Sequence, residues 1–161
     1  MRHTISALVE NKPGVLARCA GLFARRGFNI DSLAVSTTES PDVSRMIITV
    51  SGDEQTLDQI CKQLQKLVDV IAVLDHTGDA TVERELCLCK INVRREDRSE
   101  VIELCSIFRA EVVDIGENAL MIEVTGDEEK IDAFVNVIKD YEIDEMVRTG
   151  KILLVRGSQP T

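Results

Sequence analysis

A ten-residue run, Ser51-Gly-Asp-Glu-Gln-Thr-Leu-Asp-Gln-Ile60, returns 74 residues later as Thr125-Gly-Asp-Glu-Glu-Lys-Ile-Asp-Ala-Phe134. In both copies an apolar stretch, Met46 to Val50 or Leu120 to Val124, stops near a glycine, and an acidic residue then opens a helical pattern. Apolar residues follow at i, i+3, i+4 and i+7: Leu57, Ile60, Cys61 and Leu64 in the first copy, Ile131, Phe134, Val135 and Ile138 in the second. A pattern written twice in 161 residues calls for two units. Units of about 80 residues bury only some 60% of their surface on folding, so partners would help to stabilise them.

The segments upstream of each copy agree. In the first half an alternating strand, Ile5 to Val9, leads through a turn to a helix from Val15 to Arg26, predicted to turn Val15, Leu16, Cys19, Leu22 and Phe23 inward. In the second, a strand from Glu85 to Val93 precedes a helix from Asp97, its expected N-cap, to Phe108, with Val101, Leu104, Cys105 and Phe108 inward. Each half reads β-α-β-β-α-β. The expected fold class is therefore α+β, two tandem ferredoxin-like domains over residues 1–77 and 78–161, with the linker at Thr77 to Thr81. Tyr141 to Arg148 reads as a closing strand, Thr149-Gly150 as a turn and Lys151 to Val155 as one more short strand, a candidate docking edge.

The halves differ at the first turn. Asn11-Lys-Pro-Gly14 places Pro where a first helical position tolerates the missing N–H, and a Gly where a ligand can approach the backbone. The amides of Gly14, Val15 and Leu16 would point outward with the positive end of the helix dipole behind them, a seat for a carboxylate. Asn11, and Asn29 just before the next strand, could meet an α-amino group. Alone, the turn serves equally well as a cap without a guest. Its pairing with Gly27-Phe-Asn-Ile-Asp31 favours a pocket for a free amino acid. The equivalent turn of the second half, Arg94-Arg-Glu-Asp-Arg98, has neither Pro-Gly nor Asn, so ligand binding is expected in the first half and partner contact in the second.

Composition removes several rival functions of this architecture. Of 19 basic and 28 acidic side chains, 8 and 9 fall through Gly78, leaving 11 and 19 beyond it. That balance argues against binding to a phosphate backbone. Ile5 to Val9 and Met46 to Val50 carry no aromatic residue on which an RNA base could stack. Cys87 and Cys89 share a strand face and read as core, and His3 and His76 read as strand-edge residues and not as ligands or bases. No Ser, Cys or Thr sits in a nucleophile elbow or beside a phosphate loop. Arg18 lies on a helix, not in an anion-binding turn of the acylphosphatase kind. No apolar run approaches the ~20 residues that span a bilayer, and five cysteines, an odd number, fit reduced thiols in the cytoplasm.

Asn11-Lys-Pro-Gly-Val-Leu16 with Arg26-Gly-Phe-Asn-Ile-Asp-Ser-Leu33 resembles the ACT domain of the regulatory (small) subunit of acetohydroxyacid synthase, also called acetolactate synthase. Ser44-Arg-Met46, Gln63 to Val70, Val82 to Leu86, Val124-Thr-Gly126 with Lys130 to Phe134, and Val147-Arg-Thr-Gly-Lys151 are similar to the same family, so the resemblance runs along essentially the whole chain. It implies a homodimer in which two ACT domains enclose valine, with leucine and isoleucine as further candidates. The binding residues would be Asn11, Gly14, Val15, Leu16, Asn29, Ile30 and Asp31, and Arg148, Thr149 and Gly150 would be candidates for partner contact. It also implies a non-catalytic chain without cofactor or metal, activating a large catalytic subunit and conferring feedback inhibition in branched-chain amino acid synthesis. Thiamin diphosphate, Mg and FAD would belong to that subunit alone. A stand-alone amino-acid sensor acting on another enzyme or a transcription regulator is the alternative.

Overall fold

Alternation along the first strand sorts its side chains onto two faces: Ile5, Ala7 and Val9 are buried under helices, while Thr4, Ser6 and Leu8 face the other way. The computed structural model describes residues Met1–Thr161. This strand, β1 (Arg2–Glu10), lies between β3 (Val43–Ser51) and β4 (Val70–Asp75), and β3 in turn carries β2 (Ile30–Thr37). All contacts are antiparallel and the order is β2-β3-β1-β4. Helices α1 (Val15–Arg25) and α2 (Glu54–Gln65) cover the face carrying Ile5, Met46, Ile48 and Val50. The second sheet repeats the plan. β5 (Thr81–Asn92), β6 (Glu111–Ile115), β7 (Ala119–Gly126) and β8 (Glu142–Arg148) are ordered β6-β7-β5-β8, under α3 (Arg98–Phe108) and α4 (Glu128–Ile138).

The repeated motif does the same work twice. Asp53 caps α2 by accepting the Thr56 amide at 2.8 Å, and Asp127 caps α4 by accepting that of Lys130 at 2.9 Å. The repeated glycine is a point of close approach: a methyl built on Gly52 would lie 2.3 Å from the Phe28 ring. Leu57, Ile60 and Leu64, and Ile131, Phe134 and Ile138, are buried as the periodicity requires, with Cys61 and Val135 at the flank. Cys87 and Cys89 are wholly buried core residues, and Phe134 meets Phe108 edge to face at 5.4 Å. Gly27 ends α1 as expected, with the Phe28 amide returning to the Phe23 carbonyl at 2.9 Å. No helix is long and apolar enough to cross a membrane.

Three expectations are corrected. Leu16 is 45% exposed, because Val15, Cys19, Leu22 and Phe23 set the inner stripe and position 16 falls on its flank. Asp97 precedes α3 but gives it no side-chain cap; its carboxylate accepts from Arg94 Nε at 3.1 Å, and a 3₁₀ turn over Arg95–Asp97 leads into the helix instead. The two histidines lie at strand ends as expected but are buried there. His3 Nδ1 lies 3.2 Å from Thr77 Oγ1, and His76 sits between Ser6 Oγ (2.7 Å from Nε2) and Asp79 (3.0 Å from Nδ1). Because a carboxylate only accepts, the ring donates from Nδ1 to Asp79, and Ser6 Oγ is the partner of Nε2. These bonds fasten the segment that leaves β4 to the central strand.

The end of the chain bridges sequence and packing. Two compact units form, one from Met1–Val82 with Ile152–Thr161 and the other from Glu83–Lys151. The last strand, β9 (Ile152–Val155), pairs with β5 as the fifth strand of the second sheet, while Ile152–Thr161 groups with the first unit by its contacts. The reason is apolar. Ile47 occupies the face of the first sheet turned away from its helices, and Leu153, 4% exposed, buries there. Arg156 secures the return by donating its amide to the Ala80 carbonyl at 2.8 Å.

Candidate functional site

The first helix starts differently from its neighbour. Where Asp53 caps α2, the residue before α1 is Gly14, left-handed at φ +83°, and no side chain caps the helix. The internal bonds at this end are a long one from the Val15 amide to Lys12 O (3.5 Å) and one from Arg18 to Gly14 O (3.1 Å). The remaining amides of the first turn are available to a ligand, with the positive end of the helix dipole behind them. Pro13, which has no N–H to lose, precedes the glycine.

Around this turn stand groups with spare capacity. Asn11 donates its side-chain amide to the Pro41 carbonyl (3.0 Å) and its backbone amide to Asp42 O (2.8 Å), which ties the turn to the β2–β3 hairpin and leaves its Oδ1 free to accept. Arg18 was not among the expected site residues. Its guanidinium lies over the turn, 3.1 Å from where a methyl on Gly14 would sit, and pairs with Asp69 in the loop after α2. A residue four positions beyond the glycine stands one helical turn above it, and that spacing was the available signal. Lys12 forms an ion pair with Glu10 at 2.7 Å, and the hydrogen bond to that carboxylate, aided by its charge, raises the ammonium's pKa.

The second expected group forms its own cluster. Asn29 donates Nδ2 to Asp31 Oδ1 (3.2 Å), and Ser51 donates its hydroxyl to Asp31 Oδ2 (2.6 Å). Asn29 Oδ1 remains free, Ile30 is half-buried and Asp31 is exposed. Within one chain this cluster and the turn do not meet. Glu10, just before the turn, pairs with Val43, whereas Ile30 pairs with Val50 at the other end of β3. Seven residues of β3 separate the two levels, about 23 Å at the usual strand rise.

Arg148, Thr149 and Gly150 lie in the second unit and have internal partners. Arg148 forms ion pairs with Glu85 and with Asp132 (2.6 Å). Thr149 accepts the Leu86 amide at its hydroxyl (3.1 Å) and donates its own amide to Leu86 O (3.0 Å). Gly150 is buried. These residues fasten the end of β8 to β5. Cys19, Cys87, Cys89 and Cys105 are buried and Cys61 is half-buried; burial raises every thiol pKa, to about 11 for Cys61 and Cys89, so these thiols stay protonated and unreactive at neutral pH.

Comparison with known proteins agrees with this architecture. Residues 5–72 match the model of the AHAS small subunit-like ACT domain, and residues 84–157 that of the small subunit of acetolactate synthase. The chain is 54% identical over 159 residues to a probable acetolactate synthase small subunit of Archaeoglobus fulgidus, covering 99% of each chain. It is 48% identical over 155 residues to the acetolactate synthase small subunit of Mycolicibacterium smegmatis, covering 96% of this chain and 91% of the relative. The crystal structure of the acetolactate synthase small subunit from Thermotoga maritima superposes with a TM-score of 0.89 at 41% identity, over 99% of both chains. Two units of one topology, the first opening on an uncapped helix, thus coincide with sequence matches along the whole length: the chain belongs to the acetolactate synthase small-subunit family, the non-catalytic regulatory subunits of that transferase.

Proposed function

We propose that the first unit is a valine sensor shared between two copies of the chain. The observation that carries this reading is the bare start of α1, whose uncapped amides form a seat for a carboxylate beneath the Arg18–Asp69 pair and beside the free Oδ1 of Asn11. The ammonium group of the guest needs acceptors, and Asn29 and Asp31 supply them, but about 23 Å away in the same chain. A second copy closes that distance. β2 is an edge strand without Lys, Arg or Pro to guard it, and such an edge is a template for pairing. Antiparallel pairing of two β2 strands across a two-fold axis carries the Asn29–Asp31 end of one copy toward the Asn11–Leu16 end of the other.

Valine, as the family suggests, is bound by its carboxylate at Gly14, Val15 and Leu16 and by its ammonium group at Asn11, Asn29 and Asp31, with Ile30 and Leu16 bordering its side chain. Occupancy favours one arrangement of the dimer, and a coupling of about 1–3 kcal/mol changes the partner's equilibrium behaviour roughly 5- to 150-fold. The partner is the catalytic subunit, activated by the empty form and inhibited through the filled one. The second unit makes that contact, with Arg148, Thr149 and Gly150 shaping the surface from within. Gly14→Asp places a carboxylate where the guest's own would sit. Calorimetry should find valine binding lost in this variant, with the circular dichroism spectrum retained and acetolactate synthesis by the added catalytic subunit still stimulated. Unchanged valine affinity would reject the site.

A further inference from the structure

A second cleft lies in the first unit, away from the turn. It has a volume of about 310 Å³ and is walled by β2, the β2–β3 hairpin, β3 and the returning strand β9. Ala34, Val35, Ile47 and Ile152 to Leu154 make its sides apolar. Ser36, Thr37 and Glu39 stand at its rim, and Arg45 lines it.

Arg45 is the anomaly. Register places it opposite Ser36 on β2 and Leu8 on β1, on the face of the sheet turned away from the helices. It forms no ion pair, and its Nε is buried without a hydrogen-bond partner. Its strand neighbour Thr49, on the same face, is wholly buried with its hydroxyl equally unpartnered. A buried donor without an acceptor is a standing cost to the fold, and an arginine fork is shaped for a carboxylate. A concave apolar site with one fixed charge is the general form of a small-molecule pocket, and this volume falls at the small end of the usual range of about 300–1,000 Å³.

We propose that this cleft binds a small aliphatic carboxylate, with the anion on Arg45 and the hydrocarbon against Ile47 and the β9 residues. An occupant touches the sheet and β9 together, so binding holds the returning strand onto the first unit. The site shares no residue with the turn at Gly14 but is walled by β2, the edge proposed for the dimer, so the titrations that test it are run in parallel in Gly14→Asp, where the valine site is lost, which keeps its failure and that of the valine reading separable.

The test is residue-resolved amide shifts in the full-length chain, titrated with 3-methylbutanoate and, separately, with leucine. Saturable shifts are expected at Ser36 to Thr38, Arg45, Ile47 and Leu153, with slower hydrogen exchange at Leu153. Stronger shifts with 3-methylbutanoate assign the site to simple acids; stronger shifts with leucine assign it to amino acids whose ammonium group meets Glu39. Arg45→Met, which keeps the bulk and removes the charge, should weaken binding roughly tenfold to a hundredfold. Arg45→Lys should show a smaller loss. The proposal is overturned if neither compound shifts these amides, if Arg45→Met binds as tightly as the parent, or if the shifts follow protein concentration and not added carboxylate.

Discussion

Leu153→Ala separates the observed organisation from one in which the last strand serves the unit that precedes it in sequence. Leu153 is 4% exposed and belongs with the first unit. Truncating a buried leucine to alanine costs about 2–5 kcal/mol. The cleft of about 310 Å³ already borders this side chain, so little new enclosed void forms and the lower part of that range applies, about 2–3 kcal/mol. Opening of the first unit should then become roughly 30- to 150-fold more frequent. Native-state hydrogen exchange reads this directly. Exchange at Ile47, Ile48 and Val50 should accelerate by that factor, while Cys89, Ile122 and Val124 keep the parent rates. Equal acceleration in both units, or acceleration in the second alone, would refute the assignment of β9 to the first.

Three further expectations are simpler to check. Gly52→Ala brings a methyl to 2.3 Å from the Phe28 ring and should lower stability by about 1–3 kcal/mol in urea denaturation, with Phe28→Leu in the same chain restoring part of the loss. Asp127→Ala removes the bond to the Lys130 amide at the start of α4, and should destabilise the second unit by about 1 kcal/mol, read as a lower denaturation midpoint. The thiols of Cys61 and Cys89, raised by burial from 9.0 to about 11, favour the fold while protonated. Unfolded thiols ionise first as pH rises, so this stabilisation is complete below pH 9.0 and declines toward about pH 11. Urea midpoints across that window should fall less steeply in Cys89→Ala than in the parent.

Much of the fold is legible because it is written in local terms. Asp53 and Asp127 cap helices three residues before the amides they accept, and alternation in β1 assigns Ile5, Ala7 and Val9 to the core without knowledge of their partners. What sequence spacing misses is decided at long range. Asp97 has the same residue type as the two true caps, but Arg94 engages its carboxylate and a 3₁₀ turn precedes the helix. His76 looks like a strand end until Ser6, 70 positions away, meets its ring. The candidate site divides in the same way: the uncapped turn is local and readable, whereas Arg18 joins it through a charge partner, Asp69, 51 residues later.

The two units hold one topology and part company in how each opens its first helix. In the second, Arg94 to Arg98 close the entrance with their own charges: Arg94 meets Glu96 and Asp97, and Arg98 donates to the carbonyls of Gly116 and Glu117. In the first, Gly14 leaves amides open where a cap would contribute about 1 kcal/mol. Neither α1 nor α3 has a side-chain cap, but only α1 opens on a left-handed glycine with its amides uncovered, and a carboxylate bound there would supply the missing acceptor. Binding and folding of the first unit are then linked through the same amides. Valine should therefore raise the stability of the first unit as its concentration passes its Kd, and leave the exchange rates of Ile122 and Val124 in the second unit where they were. A uniform rise across both units would show that the amides of α1 are not where the ligand acts.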